Sequence, residues 1–239
     1  MLRVVSLVPS ATETMLAWGV KPIGVTRFCE QGARFPTLGG TKDPNLDSIV
    51  AIAPDLVVMC DQENRKEDAE ALIVAGLNVH AIHITHVDHV GAEMVRIAEA
   101  LGIDSALGAL CALSKASEVF DEPTTAPPRR VFVPIWRKPW MTINNETYGG
   151  SILHAAGFAN IFGTHSDRYP TVTHEEAMAD QPETVLAPSE PYPFTERQRG
   201  ELESFAPTVY VDGKDLFWWG IRTPAALQRL QKLRNEQEA

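Results

Sequence analysis

The sequence is poor in cysteine and has no closely spaced cysteine pair. Its 239 residues include three cysteines, Cys29, Cys60 and Cys111. An odd number at wide spacing favours neither a disulfide framework nor a structural zinc site. No apolar run approaches the roughly 20 residues that cross a bilayer, so no membrane insertion is expected.

Positive charge is scarce as well. The chain carries 21 Lys and Arg against 31 Asp and Glu, a formal net charge of −10. An acidic protein repels polyanions, so no nucleic-acid partner is expected. The first residues lack the apolar core and the small-residue cleavage site of a signal peptide. The sequence as it stands therefore predicts a cytoplasmic protein, and a periplasmic or other extracytoplasmic location is the alternative if a leader has been removed.

Motifs of catalysis are also missing. The sequence contains no G-x-S-x-G elbow, P-loop, GxGxxG or HExxH. We therefore expect a binding protein without catalytic activity. The alternative is an enzyme, a hydrolase or glycosyl transferase, that uses Glu30, Asp61 or Glu190 as acid or base.

The sequence does contain an internal repeat, in segments 45–58 and 173–186. Each segment reads as a short helix, a proline and a buried strand. In each, a proline and an acid follow nine residues after the helix-capping residue, at Pro54-Asp55 and Pro182-Glu183. Two copies of one α/β unit predict two similar lobes, with ligand-binding loops at the strand ends facing a shared cleft. The alternative is chance similarity between two short motifs.

A long helical pattern lies between the two copies. It covers about residues 86–118 with an interruption at 102–104, and a proline-rich stretch, 122–128, follows it. We predict an N-terminal lobe at 1–103, a linker helix at 104–122 and a C-terminal lobe at 123–239.

Three segments resemble a known family. They are Arg3-Val-Val-Ser-Leu-Val-Pro-Ser-Ala-Thr-Glu13, Gly39-Gly-Thr-Lys-Asp-Pro-Asn-Leu-Asp47 and Ile52-Ala-Pro-Asp-Leu-Val57. They are similar to the helical-backbone (class III) solute-binding proteins of ABC importers, nearest the cobalamin-binding and helical-backbone metal receptor branch. The resemblance implies two three-layer α/β lobes joined by a single long helix, with the ligand in the cleft between them. It also implies a corrinoid, haem, iron–siderophore or metal ion as ligand and an ABC permease as partner.

Aromatic residues in three predicted loops are the first candidates for ligand binding. A flat, apolar cofactor needs aromatic walls, and loops at strand ends are where ligands bind. The alternative is that these side chains fill the core beneath the loops. The candidates are Trp136, Trp140, Tyr192, Phe194, Trp218 and Trp219.

Polar candidates lie in the same predicted loops. Arg65, Arg137 and Arg222 could grip the anionic groups of a ligand, or each could pair with a nearby acid. Asn64 stands beside Arg65 in the polar loop 61–65.

Cys29 and Glu30 are the candidates for metal contact. A thiolate beside a carboxylate suits a soft or borderline metal. Every third position from 80 to 89 is a histidine, but in a strand these side chains would alternate between faces and not converge. Only His86, at the predicted strand end, is expected to reach the ligand. A bare-metal receptor built on Cys29, Glu30 and a histidine is the further alternative.

Overall fold

The computed structural model describes residues 2–30, 34–103 and 127–236, which fall into two compact units. Unit 1 comprises residues 2–30, 34–84, 88–103 and 219–221. Unit 2 comprises residues 85–87, 127–218 and 222–236. The predicted linker helix, 104–122, lies outside the described residues, so the lobe boundaries, the joining helix and the cleft stay predictions.

Unit 1 is a four-stranded parallel sheet with helices between the strands. Its strand order is β2-β1-β3-β4, and every neighbouring pair is parallel. The elements in chain order are β1 (Val4–Ser6), α1 (Pro9–Ala17), β2 (Gly24–Val25), α2 (Leu46–Ala51), β3 (Leu56–Cys60), α3 (Lys66–Val74), β4 (Val79–Ile82) and α4 (His89–Ala100).

Unit 2 is built in the same way. Its main sheet has the order β10-β9-β5-β7, again with parallel neighbours, and β6 pairs with β8 in a separate antiparallel ribbon. A 3-10 turn, Glu196–Gln198, precedes α7. The elements are β5 (Arg129–Phe132), β6 (Trp140–Met141), α5 (Tyr148–Ala155), β7 (Phe158–Asn160), β8 (Thr171–Val172), α6 (His174–Ala179), β9 (Thr184–Pro188), α7 (Arg199–Leu202), β10 (Thr208–Val211), α8 (Lys214–Phe217) and α9 (Thr223–Glu236).

The two sheets have the same topology. Read as β7-β5-β9-β10, the second sheet matches β2-β1-β3-β4 strand for strand, so each unit begins at an inner strand and adds one neighbour on either side. The predicted internal repeat corresponds to α2–β3 and α6–β9. The predicted fold class, two α/β lobes, is confirmed.

The repeat extends to the side-chain contacts at the proline-acid pair. The backbone N–H of Arg3 donates to Asp55 Oδ2 at 2.7 Å, and that of Arg130 donates to Glu183 Oε2 at 2.7 Å. In both units the acid after the proline therefore links the start of one inner strand, β1 or β5, to the start of the neighbouring inner strand, β3 or β9.

Buried strands form the core of each unit. All residues of β1, β3 and β9 are buried, which is typical of parallel strands covered on both faces. In unit 1, Val5, Val57 and Met59 pack in one cluster with Ile49 of α2. In unit 2, Phe132 occupies the corresponding cluster, where its ring contacts Phe162 and Phe205.

The start of α1 differs from the sequence pattern. Ser10 and Glu13 have the spacing of a capping box, but the helix already begins at Pro9 and its N-cap is Val8, without a side-chain cap. A proline fits the first helical position because its φ is preset and its missing N–H needs no acceptor. Ser10 therefore lies inside the helix and does not cap it.

In the described part of the chain no helix combines the length and apolarity that crossing a membrane requires.

Candidate functional site

Most of the predicted site residues follow a strand of one of the two main sheets. In a parallel sheet all carboxyl ends lie at one edge, where open α/β folds bind ligands. In unit 1, Cys29 and Glu30 follow β2, and Asn64 and Arg65 follow β3. In unit 2, Trp136 and Arg137 follow β5, and Tyr192 and Phe194 follow β9. Trp140 was predicted in a loop but lies in β6, and Trp218 follows the short helix α8. The topology thus places the candidates that follow β2, β3, β5 and β9 at the carboxyl edge of the sheet of their own unit.

Four of the predicted aromatic side chains form a continuous row in unit 2. Trp136 contacts Tyr192 edge-on, with ring centroids 5.4 Å apart, and Tyr192 contacts Phe194 at 4.6 Å. Phe194 stacks on Trp140 at 6.2 Å with 12° between the ring planes. We call Trp136, Tyr192, Phe194 and Trp140 the aromatic row. It joins the loop after β5 to the loop after β9.

Exposure changes along the aromatic row. Trp136 is 46% exposed, Tyr192 and Trp140 are half-buried, and Phe194 is buried. Trp140 also contacts Phe132 of the core, at 6.5 Å. The row is therefore anchored in the core at one end and open to solvent at the other. Phe194 fills the core, and the binding role of the exposed end stays a prediction.

Arg137 lies beside the exposed end of the row. Its guanidinium donates to Glu201 Oε1 at 2.6 Å, and the pKa of Arg137 is raised chiefly by hydrogen bonding with Tyr192. Its buried Nε has no hydrogen-bond partner among the described residues. A half-buried cation with spare donor capacity suits an anionic group on a ligand.

Trp218 and Arg222 form a second, more buried group in unit 2. Arg222 lies over the ring of Trp218, 5.5 Å from its centroid, and its Nη1 is 3.4 Å from Asp215 Oδ1. Trp218 and Trp219 are almost fully buried, and Trp219 belongs to the short segment of unit 1 that ends at Ile221. For these two tryptophans the structure shows the core-filling arrangement.

Glu190 is the partly buried acid of the loop after β9. Burial raises the pKa of its carboxyl, and hydrogen bonding with Trp218 and the charge of Lys214 act in the opposite direction. Perturbed carboxyls cluster at functional sites, and Glu190 is one of the three acids that the enzyme alternative names, with Glu30 and Asp61.

In unit 1, the predicted polar loop mostly contacts its own unit. Asn64 accepts from the backbone N–H of Cys60 and donates to the carbonyls of Leu7 and Thr41. Arg65 makes two hydrogen bonds of 2.8 Å to Asp68. Asn64 therefore fixes the loop, and Arg65 shows the local pairing that was the alternative to ligand binding.

The candidates for metal contact differ in accessibility. Glu30 is exposed, whereas Cys29 is buried with its Sγ 3.3 Å from Thr12 Oγ1 and 3.4 Å from Thr26 Oγ1. Across residues 2–30, 34–103 and 127–236, no three His, Cys, Asp or Glu side chains converge to hold a metal ion. His86 falls in unit 2 and Cys29 in unit 1, so the predicted Cys29–His86 metal pair remains a prediction.

Cys60 gives a first testable prediction. Burial raises the pKa of its thiol to about 12. Because the thiolate is the reactive form, we expect no labelling of Cys60 by 5,5′-dithiobis-(2-nitrobenzoic acid) at pH 8 in the native protein, and full labelling in urea. Peptide mass mapping checks this. Fast native labelling would contradict the buried position of β3.

Two features of the carboxyl edge of unit 1 were not among the predicted site residues. Phe28 is exposed in the loop after β2. The guanidinium of Arg27 lies over its ring, with Cζ 4.9 Å from the ring centroid. His83 Nδ1 and Asp61 Oδ2 are 2.6 Å apart, and the rings of His83 and His89 stack with their centroids 6.5 Å apart. An aromatic residue in the loop after a strand was the available signal for Phe28, but the sequence analysis singled out only its neighbours Cys29 and Glu30.

A cavity of about 340 Å³ lies elsewhere in unit 2. None of the predicted site residues lines it. Its lining residues are Ile161, Phe162, Thr164, His165, Thr171, Val172, Glu176, Ala179 and Asp180.

Two parallel α/β units, each with aromatic or charged side chains at the carboxyl edge of its sheet, define a solute-receptor class of ligand-binding protein. The sequence matches the family described as periplasmic binding protein over residues 4–205. The chain belongs to the periplasmic binding protein family, and the predicted resemblance is confirmed.

Individual relatives have names that agree with this class. The chain is 23% identical over 189 residues to a vitamin B12-binding protein of Salmonella choleraesuis (strain SC-B67), covering 77% of this chain and 71% of that protein. Its fold is similar to the periplasmic vitamin B12 binding protein BtuF of Vibrio cholerae, with a TM-score of 0.84, 17% identity, and coverage of 99% of this chain and 97% of that chain. It is also similar to the periplasmic heme-binding protein BhuT in complex with two hemes, with a TM-score of 0.86, 21% identity, and coverage of 100% and 99%. All three relatives are named as binding proteins.

Proposed function

We propose that the protein captures a tetrapyrrole, a corrinoid or a haem, leaves it chemically unchanged and delivers it to an ABC permease. The aromatic row carries the proposal. A tetrapyrrole is a flat apolar ring, and a row of aromatic side chains with one exposed end offers it a stacking surface.

The positive charge of Arg137 at the exposed end of the aromatic row favours a ligand with anionic groups at its periphery. Arg137 lies next to Tyr192 and is already half-buried, so its guanidinium loses little hydration when it pairs with a ligand anion. Haems carry carboxylates and corrinoids carry a phosphate, and both are groups that a guanidinium binds well.

The relatives support the same ligand class. One is named for vitamin B12 and one is described in complex with hemes. The two solved relatives are described as periplasmic, which favours the extracytoplasmic location over the cytoplasmic one. An iron–siderophore or a bare metal ion remains the alternative ligand, and the two threonine hydroxyls that already surround the Cys29 thiol argue against the bare ion.

A tryptophan-fluorescence titration with cyanocobalamin, hemin and a ferric siderophore tests the proposal. We expect saturable one-to-one quenching by cyanocobalamin or hemin. Trp136→Ala should weaken that binding by about 10-fold, because a ring stack and its buried area are lost. Tyr169→Ala is the matched control, since Tyr169 is also 46% exposed but does not belong to the aromatic row.

Three outcomes count against the proposal. Saturable binding of the siderophore alone would replace the tetrapyrrole with a chelate. The absence of quenching by all three ligands would favour a bare-metal receptor or an enzyme instead. Equal effects of Trp136→Ala and Tyr169→Ala would show that the aromatic row is not the binding surface.

A further inference from the structure

We propose that the cavity of unit 2 binds an alkyl diamine. The two ammonium groups pair with the carboxylates of Glu176 and Asp180, and the methylene chain between them lies on the apolar floor of the cavity. The members of the aromatic row do not line this cavity, so it is a second site, separate from the surface assigned to the tetrapyrrole. Diamine binding here therefore does not depend on tetrapyrrole capture.

The cavity lies beside β7, the edge strand of the main sheet of unit 2. Of the described residues that line it, four come from the loop after β7, two from β8 and three from α6 with its C-cap. All of them belong to unit 2, so the walls come from one unit. The volume of about 340 Å³ falls within the range of small-molecule sites, roughly 300–1,000 Å³.

The cavity has an apolar floor and a negatively charged rim. Phe162 and Val172 are buried and Ile161 is half-buried, whereas Glu176 and Asp180 are exposed. Among the described residues that line the cavity there is no lysine or arginine. No three metal-ligating side chains converge in the described part of unit 2, so a bare metal ion is a poor match. The charge and the floor together suit an organic cation with an apolar middle.

The spacing of the two carboxylates suits a ligand with two ammonium groups. Glu176 and Asp180 are four residues apart, and residues at this spacing on a helix have Cβ atoms about 5–6 Å apart on one face. The chain of 1,4-diaminobutane bridges such a span. Ala179 lines the cavity beside them, and its small side chain leaves room for the methylene groups.

The helix cap keeps Glu176 ionised. Its Oε2 accepts from the backbone N–H of Thr173 at 2.7 Å, and hydrogen bonding with Thr173 lowers the pKa of the Glu176 carboxyl. The charge of His165, across the cavity, acts in the same direction. A carboxylate has about four lone-pair positions, so Glu176 can accept from a ligand ammonium without giving up the cap.

The internal repeat shows that the fold does not require these two acids. Helix α6 of unit 2 corresponds to α2 of unit 1, where Ser48 and Ile52 stand at the positions of Glu176 and Asp180. Asp180 is moreover the C-cap of α6, where a negative charge opposes the helix dipole. Folding therefore does not explain the charge of Asp180, and a cationic ligand does.

Calorimetric titration of the full-length protein with 1,4-diaminobutane and with butylamine tests the proposal. Phosphate buffer is needed, because Tris is itself an amine. We expect one-to-one binding of the diamine with a Kd below about 1 mM and about 10-fold weaker binding of butylamine, which lacks the second charge-assisted hydrogen bond. Added NaCl should weaken the binding of the diamine. In ¹⁵N NMR spectra the amides that shift should lie in 161–165 and 171–180.

Two variants remove charge and one removes space. Glu176→Gln keeps the cap acceptor, since Gln198 serves in the same way in the capping box of Thr195. Asp180→Asn keeps the shape of the side chain. Each should weaken diamine binding about 10-fold. Ala179→Leu keeps both charges but fills the space beside them, and it should weaken binding at least as much.

Glu175→Gln is the matched control. Glu175 is an exposed acid of the same helix that does not line the cavity, so its loss changes the net charge equally and should leave the affinity nearly unchanged. Equal losses for Glu175→Gln and Glu176→Gln would show attraction by the net charge of −10 alone and overturn the site. Equal affinities for diamine and butylamine overturn the two-carboxylate pairing, and the absence of saturable binding overturns the proposal outright. None of these outcomes affects tetrapyrrole capture.

Discussion

Replacing Asp215 with alanine should lower the free energy of unfolding by about 3 kcal/mol. The Asp215 side chain is 6% exposed, and Arg229 donates to it twice, at 2.7 and 2.6 Å. Removing one partner of a buried pair leaves the other charge without compensation, which costs about 3–5 kcal/mol. We expect the lower end of this range because the Arg229 side chain is 54% exposed and can recover hydration.

The same change should also disturb Arg222, one of the predicted site residues of unit 2. Asp215 Oδ1 is 3.4 Å from Arg222, which lies over Trp218. Without Asp215, Arg222 loses this contact, and Asp212 lies farther away, at 3.9 Å. Asp215→Ala should therefore weaken ligand binding in addition to lowering stability.

An exposed pair with the same geometry is the matched control. Arg27 donates twice to Asp43, at 2.9 and 2.8 Å, and both side chains are exposed. Asp43→Ala should leave the urea unfolding midpoint nearly unchanged, because water replaces the lost contact. Equal shifts for Asp43→Ala and Asp215→Ala in urea unfolding followed by circular dichroism would show that burial does not set the cost.

The repeat made much of the fold predictable from the sequence. A capping residue, a proline nine residues later and a buried strand define α2–β3 and α6–β9, since these signals act within a few residues. The residue before each proline was not predictable. Ala53 and Gln181 adopt φ of 44° and 46°, a region that favours glycine. The hydrogen bonds that Asp55 and Glu183 accept were not predictable either, because each joins residues about 50 positions apart in the sequence.

The candidate site was predictable in its position but not in its contacts. Aromatic loops after strands of a parallel sheet reach one edge whatever their sequence separation, so Trp136 and Tyr192 were found as candidates. Their edge-on contact depends on the paths of two loops, which no local pattern encodes. The histidines show a related limit: the alternation of a strand was applied to all four, but β4 ends at Ile82 and the chain then turns, so His83 and His89 stack.

Replacing Gly150 with alanine should destabilise the protein by about 3 kcal/mol, near the upper end for overpacking. Gly150 lies in the first turn of α5, and a Cβ there would be 2.1 Å from the carbonyl oxygen of Asn144. That oxygen accepts from Thr147 Oγ1 at 2.8 Å, and Thr147 Oγ1 in turn accepts from the N–H of Gly150 at 3.1 Å. Because the obstacle is backbone held by its own hydrogen bonds, relief requires a shift of the whole turn and not a change of rotamer.

Gly91→Ala is the matched control and should change stability in the opposite direction. Gly91 lies near the start of α4, and a Cβ there would meet no atom within 4 Å. Alanine in an unobstructed helical position should stabilise the fold by about 0.5–1 kcal/mol, because glycine loses more backbone entropy on folding. Urea unfolding of both variants decides the matter. Stabilisation by Gly150→Ala would mean that α5 and the turn at Asn144 do not pack as described. The path of the chain from β6 to β7 in unit 2 would then be wrong as well.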